Sequence, residues 1–299
     1  MRSEHDIRYK YLFSHPLFVQ RLLQSFVHER FVRRLDFNSL QRIDKSFVTE
    51  EFRERESDII WKIDFQGSAL YLFLLLEFQS TVDHTMPLRF LRYITEFYQS
   101  FHGKTESSKL PPVFPLLLYN GDRSWTVPGN IAELIETTIP EKYIPSFHYY
   151  PVIENEIPKS TLVRVKNALS AVFYAENSSP EELEREIDTF FSIIKEEELE
   201  AVQILANWLN DFLATRDSEK RKPVMQKINS LMEVKSMFLT KLKEHDERIR
   251  EEGKKQGIVK GIEENRRQTV RKMLSKGYPV EEICEITGLS REEVERLKE

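Results

Sequence analysis

The unbroken apolar run from Ala69 to Leu76 is the feature that most narrows what this chain can fold into. It is too short to cross a bilayer, which needs about 20 apolar residues. It is also too uniform for a half-exposed strand, so it reads as a central β-strand covered on both faces. Ahead of it, Ser57 to Phe65 is rich in β-branched and aromatic residues, and Gln66-Gly67-Ser68 offers a turn between the two. From Pro87 the pattern turns helical: Leu88, Leu91, Ile94, Tyr98 and Phe101 form one stripe, with Arg89, Arg92 and Glu96 mostly off it. Lys109 to Pro112 breaks the chain, and Val113 to Tyr119 reads as another short buried strand ending at Asn120-Gly121. At the N-terminus, apolar residues from Leu12 to Val27 recur at helical spacing, with a break near His15-Pro16. A strand pair, a helix and a strand after an opening helix predict an α+β fold, a mixed sheet with flanking helices.

Beyond Thr161 the sequence loses strand character, and 161–175 and 181–213 carry helical periodicity. Window 176–200 holds ten acidic residues against two basic ones, which reads as a solvated helix face. Residues 214–223 read as a loop, and a long charged helix is expected from about Met225. Within 241–272, Gly253, Gly257 and Gly261 recur every four residues amid charges, which suits a fraying linker helix. The tail regains order: Val280 to Ile286 predicts a short helix, Thr287 to Ser290 a turn with Ser290 as N-cap, and Arg291 to Leu297 a second helix. The expected divisions are therefore 1–160, a helical region 161–240, a linker helix 241–272 and a tail 273–299.

Charge and cysteine content exclude several classes. With 44 Lys+Arg against 49 Asp+Glu the net charge is −5, which argues against a whole-surface grip on nucleic acid but not against a local basic groove. The acidity is segregated, because residues 1–57 carry eleven basic and nine acidic side chains. One cysteine, Cys284, and a charged N-terminus without an apolar run predict a protein of the reducing cytoplasm with no membrane association. Scattered histidines rule out a zinc cluster, and no glycine-rich phosphate loop is present.

Asp58 begins one expected strand and Glu77 lies near the end of the next, which runs to Gln79. An antiparallel hairpin about Gln66 to Ser68 brings these two positions together, with Gln79 on the same sheet face as Glu77 and the Phe78 carbonyl at the strand edge. Two carboxylates and a backbone oxygen suit Mg²⁺, which could activate water and neutralise charge developing on a phosphate. The alternative is an ion pair with Arg53, Arg55 or Lys62. Glu77 follows seven apolar residues, so its burial demands either a metal or a basic neighbour. Arg89 and Tyr93 lie four apart on the next helix and share a face that could approach a phosphate. Arg89 pairing with Glu96 or another acidic neighbour while Tyr93 packs in the core is the competing reading.

His5-Asp6 with Tyr9 to Phe13, Phe47 to Glu50, Ser57 to Ile60, Leu76 to Ser80, Met86 to Tyr93 and Leu110 to Val113 through Leu118 to Gly121 together resemble the recombination-promoting nuclease (Rpn) family. That family, which includes transposase-like proteins, falls within the PD-(D/E)XK nuclease superfamily. The resemblance covers most of residues 5–125 and extends to the glycine-spaced tail with its Thr-Gly-Leu-Ser. It implies a restriction-endonuclease-like sheet and a Mg²⁺-dependent DNA endonuclease, Mn²⁺ being the other candidate ion. Asp58, Glu77 and the Phe78 carbonyl would be metal ligands, and Asp58, Glu77 and Gln79 the catalytic set. Lys10, in the family's opening motif, would support the site or contact DNA alongside Arg89 and Tyr93; a solvated lysine is the plainer reading. Gln79 stands where the wider superfamily has lysine and brings hydrogen bonds but no charge, so a slow or tightly regulated enzyme is expected.

A binding or assembly protein with a vestigial nuclease site is the competing function. The last helix is too acidic to face phosphates, so the tail reads as an oligomerisation or docking module. A third reading has the acidic segment 176–200 occupying a basic DNA groove until DNA displaces it.

Overall fold

The structure is a computed structural model and describes residues 4–43, 59–77, 82–101, 109–216 and 218–297. The protein is α+β. A five-stranded mixed sheet is built from β1 (Leu35–Ile43), β2 (Ile59–Phe65), β3 (Ser68–Glu77), β4 (Val113–Tyr119) and β5 (Tyr150–Ile153), in that spatial order. β1 and β2 pair antiparallel, as do β2 and β3, while β3, β4 and β5 are parallel. A tight turn closes the β2–β3 hairpin, with Phe65 opposite Ser68 and both Gln66 (φ 58°) and Gly67 (φ 80°) left-handed. That is the backbone of a type I′ turn, whose twist matches that of the flanking strands.

Helices cover both faces of β3 because every residue from Ala69 to Leu76 is apolar. On one face Tyr71, Phe73 and Leu75 meet Phe90, Tyr93 and Phe97 of α3 (Met86–Phe101), the crossover from β3 to β4. On the other, Leu70, Leu72, Leu74 and Leu76 join α1 (Glu4–Phe13) and α2 (Pro16–Phe26). The same core takes in α4 (Lys159–Val165), α5 (Ala168–Glu176), α6 (Pro180–Arg185), α7 (Ile187–Ile194) and α8 (Leu199–Arg216). The helical stretch after 160 therefore completes the sheet's core, and the compact unit runs from Met1 to Met232.

Two strands escape the sequence patterns. β1 alternates polar and apolar residues irregularly across a register shift, and β5 is a four-residue edge strand containing Pro151. The stretch expected as a loop at 214–223 is helical up to Arg216 and again from Ser218, where α9 (Ser218–Ser275) begins. Within window 176–200, Glu181, Glu184, Glu196, Glu198 and Glu200 are exposed, but Glu197 is buried. Its Oε1 lies 2.7 Å from Arg21 Nη2, and its Oε2 accepts from the Ala168 amide at the start of α5. Burial pushes this carboxyl up, but the Arg21 bond and two backbone amides outweigh it and hold it below the ordinary Glu value.

The second compact unit spans Glu233 to Glu299. Residues 241–272 are helical within α9, and a Cβ added at Gly253, Gly257 or Gly261 would meet nothing within 4 Å. α10 (Val280–Thr287) ends at Gly288 (φ 69°), and α11 (Arg291–Arg296) starts with the Ser290–Glu293 capping box. Val270, Ile283 and Val294 form a small fully buried core. Among the described residues, no helix is long and apolar enough to cross a membrane.

Candidate active site

Glu77 is the last residue of β3, at the end of the sheet where the parallel strands finish. It is paired in register with Tyr119, and its carbonyl accepts the Asn120 amide at 3.1 Å. Strand alternation turns its side chain to the α3 face. One turn into α3, Arg89 reaches back so that its Nη1 lies 2.9 Å from Glu77 Oε2, with the two side chains only 10% and 6% exposed. Asp83 Oδ2 is a second acidic neighbour of the same nitrogen, at 3.9 Å. Asp83 is itself fixed ahead of α3 by the Thr85 amide and hydroxyl, at 2.9 and 2.6 Å. Arg89 Nε donates to the Tyr93 hydroxyl at 3.2 Å, and the guanidinium carbon sits 5.8 Å from the Tyr93 ring centre.

The buried carboxylate thus has a basic partner, and that partner is Arg89. Lys62 faces Tyr71 across the hairpin, well before Glu77, and Glu96 pairs with Arg92 at 2.9 Å. Arg89 and Tyr93 do share one face of α3, with Arg89 engaged by acidic neighbours and Tyr93 in the core. Lys10 is half-buried on α1, whose Tyr9, Leu12 and Phe13 pack on the opposite sheet face, so it does not join this cluster.

Asp58, Phe78 and Gln79 lie outside the described residues, as do Arg53 and Arg55. The described strands fix their chain neighbours: Ile59 pairs with Leu74, three residues before Glu77, and Ile60 belongs to the core on the Glu77 face. The chain therefore enters β2 and leaves β3 at one end of the sheet. Among the described residues, no group of three or more His, Cys, Asp and Glu side chains could hold a metal. Glu77 supplies one hard oxygen donor of the kind Mg²⁺ takes.

One buried acid has no counterpart in the sequence reading. Glu154, in the helical turn Glu154–Glu156 after β5, is fully buried, and both its oxygens lie 2.6 Å from the Tyr9 hydroxyl. Burial, then repulsion from Glu176, raises its carboxyl well above the ordinary value against the opposing Tyr9 bond. Its only local signal is a Glu between Ile153 and Ile157, which surface loops also show.

A family profile described as "Putative transposase, YhgA-like" matches residues 3–205. The recombination-promoting nuclease RpnD of Escherichia coli O157:H7 is 26% identical over 235 residues, which is 77% of this chain and 88% of that protein. RpnC of Escherichia coli K12, a recombination-promoting nuclease, is 28% identical over 121 residues, 40% of each chain. RpnE of the same strain, described as an inactive recombination-promoting nuclease-like protein, is 27% identical over 122 residues, 41% of this chain and 40% of its own. No solved structure matches.

Proposed function

This chain belongs to the YhgA-like transposase family and is related to recombination-promoting nucleases, and from that premise we propose that it is a metal-dependent DNA endonuclease acting in recombination or on mobile-element-like DNA. The observation that carries the reading is Glu77, a carboxylate kept buried at the end of a central strand, inside the matched segment. Asp58, Glu77 and the Phe78 carbonyl would hold Mg²⁺ or Mn²⁺. An ion bound there would lower the pKa of water and offset charge on the phosphate.

The chain's own side chains have defined tasks in the hydrolysis. The water gives up a proton as its oxygen bonds to phosphorus, one phosphorus–sugar oxygen bond breaks, and the leaving oxygen takes up a proton, so that one water is consumed per bond cut. Gln79, neutral and able both to donate and to accept, orients the water. Arg89 would offer its guanidinium to the phosphate, and the Tyr93 hydroxyl, 3.2 Å from its Nε, would keep that guanidinium in place. Lys10 contacts the DNA backbone away from the reacting centre. The cytoplasm is the place of action, and copies assemble through the C-terminal helices. On these helices Ile258, Ile262 and Ile286 stand 55%, 58% and 60% exposed.

Supercoiled plasmid incubated with the purified protein, with and without Mg²⁺, tests the assignment against Asp58→Ala and Glu77→Gln. Cleavage by the unaltered protein that both variants lack is the expected result. Equal cleavage by either variant would end the assignment. The second reading, a DNA-binding or assembly protein with a vestigial site, is favoured by one observation: Arg89 already satisfies Glu77 without a metal. It predicts DNA binding with no cleavage at any Mg²⁺ concentration.

A further inference from the structure

Tyr9 and Asn120 belong to separate motif stretches, yet they meet on one buried carboxyl. Glu154 lies within 2.6 Å of the Tyr9 hydroxyl through both oxygens, and its Oε1 accepts from Asn120 Nδ2 at 3.2 Å. The turn that carries Glu154 is tied down on either side. Asn177 Nδ2, at the end of α5, donates to the Glu154 carbonyl at 3.0 Å, and the Asn155 side chain donates to the Gly121 carbonyl. Four elements, α1, α5 and the ends of β4 and β5, therefore converge on one point.

The point is coupled to the candidate active site through the backbone. The amide of Asn120 donates to the Glu77 carbonyl at 3.1 Å, while its side chain holds Glu154 on the far face of the sheet. A buried hydrogen-bonded network resists displacement, because a shift that breaks one of its bonds leaves a desolvated donor or acceptor unpaired. An anchored Asn120 thus holds the end of β3, and the Glu77 side chain projects from that end.

We infer that Glu154, Tyr9 and Asn120 form a positioning cluster that fixes the end of β3, and with it Glu77, from the opposite side of the sheet. Glu154 is a positioning residue and touches no substrate. The effect on cleavage rests on the nuclease reading; the effect on the backbone rests on the hydrogen bonds alone.

Glu154→Leu keeps the apolar bulk and removes both acceptors, whereas Glu154→Gln keeps an acceptor for Tyr9 and Asn120. Below the melting temperature of each variant, two quantities decide: amide exchange at Asn120 by NMR, and plasmid cleavage resolved into kcat and KM. Glu154→Leu should speed Asn120 exchange and lower kcat by about tenfold to a hundredfold with KM for DNA unchanged, as expected of a displaced group. Glu154→Gln should restore both. If Glu154→Leu does not fold, Tyr9→Phe, which deletes one hydroxyl, takes its place with the same expectations. Unchanged Asn120 exchange in the folded variant overturns the inference, and so does unchanged kcat in a protein that cleaves. If the unaltered protein does not cleave DNA, the nuclease reading falls. The exchange measurement still decides the cluster: faster exchange in Glu154→Leu supports it, and equal exchange overturns it.

Discussion

Arg89→Met tests what keeps a carboxylate buried at the end of β3. The substitution keeps an unbranched apolar stem about as long as the arginine's out to Nε and removes the guanidinium, leaving Glu77, 6% exposed, without the charge now 2.9 Å away. Breaking one side of a buried ion pair costs about 3–5 kcal/mol, because the remaining charge stays desolvated. Protonation sets a ceiling: neutralising an ordinary glutamic acid at pH 7 takes about 3.7 kcal/mol, so the loss should fall near 3 kcal/mol. Glu77→Gln should cost less, about 1–2 kcal/mol, because Asp83 at 3.9 Å and the Tyr93 hydroxyl still engage Arg89. The double variant, with neither charge, should lose less than the sum of the two, by about 2 kcal/mol. Urea unfolding at pH 7, followed by the fluorescence of Trp61, Trp125 and Trp208, reads these differences. A melting point lower by about 6–12 °C is the thermal equivalent for a unit of this size. A loss under about 1 kcal/mol for Arg89→Met, or additivity within about 0.5 kcal/mol, would refute the claim that this pair sustains the buried carboxylate.

Other perturbations follow from the same structure. Because Glu154 binds its proton more tightly in the fold than in the unfolded chain, its stabilising contribution is complete below about pH 4.5 and declines as pH rises through the raised folded value. Glu154→Gln should therefore gain on the unaltered protein in urea midpoints measured from pH 5 to pH 9, and parallel curves would contradict the raised pKa. Gly253, Gly257 and Gly261 sit in open space, so changing all three to Ala should add about 0.5–1 kcal/mol of helix stability each, seen as slower amide exchange along 245–270. Gln66→Asn should stabilise the hairpin by about 0.5–1 kcal/mol, because Asn accepts the left-handed φ of 58° more readily than Gln. An unchanged thermal midpoint would show that the turn bears no strain.

Legibility in the sequence followed the range of the interactions. The β2–β3 hairpin was readable because a two-residue turn and an apolar run set its register within twenty-one residues, 57 to 77. The break at His15-Pro16, the stripe of α3 and the Ser290 cap were readable for the same reason, since each is decided by neighbours within a turn or two. β1 and β5 were not, because edge strands with polar or Pro-containing sequences become strands only when a partner edge is already present. The loop expected at 214–223 failed on charge, which marks solvent exposure and not helix breaking.

The candidate site divides along the same line. Strand pairing and alternation alone put Glu77 at the end of an apolar strand and required a partner for it. Sequence could not choose between a metal and a basic neighbour, for which Arg53, Arg55 and Lys62 were the candidates; the fold of α3 back over β3 brings up Arg89, a partner that strand pattern alone does not indicate. Tyr9, Asn120 and Glu154 stood too far apart for any local pattern to join them. Their meeting is a property of the packed sheet: only when β4 and β5 lie side by side under α1 does burial bring one carboxyl, one phenol and one amide within hydrogen-bonding distance.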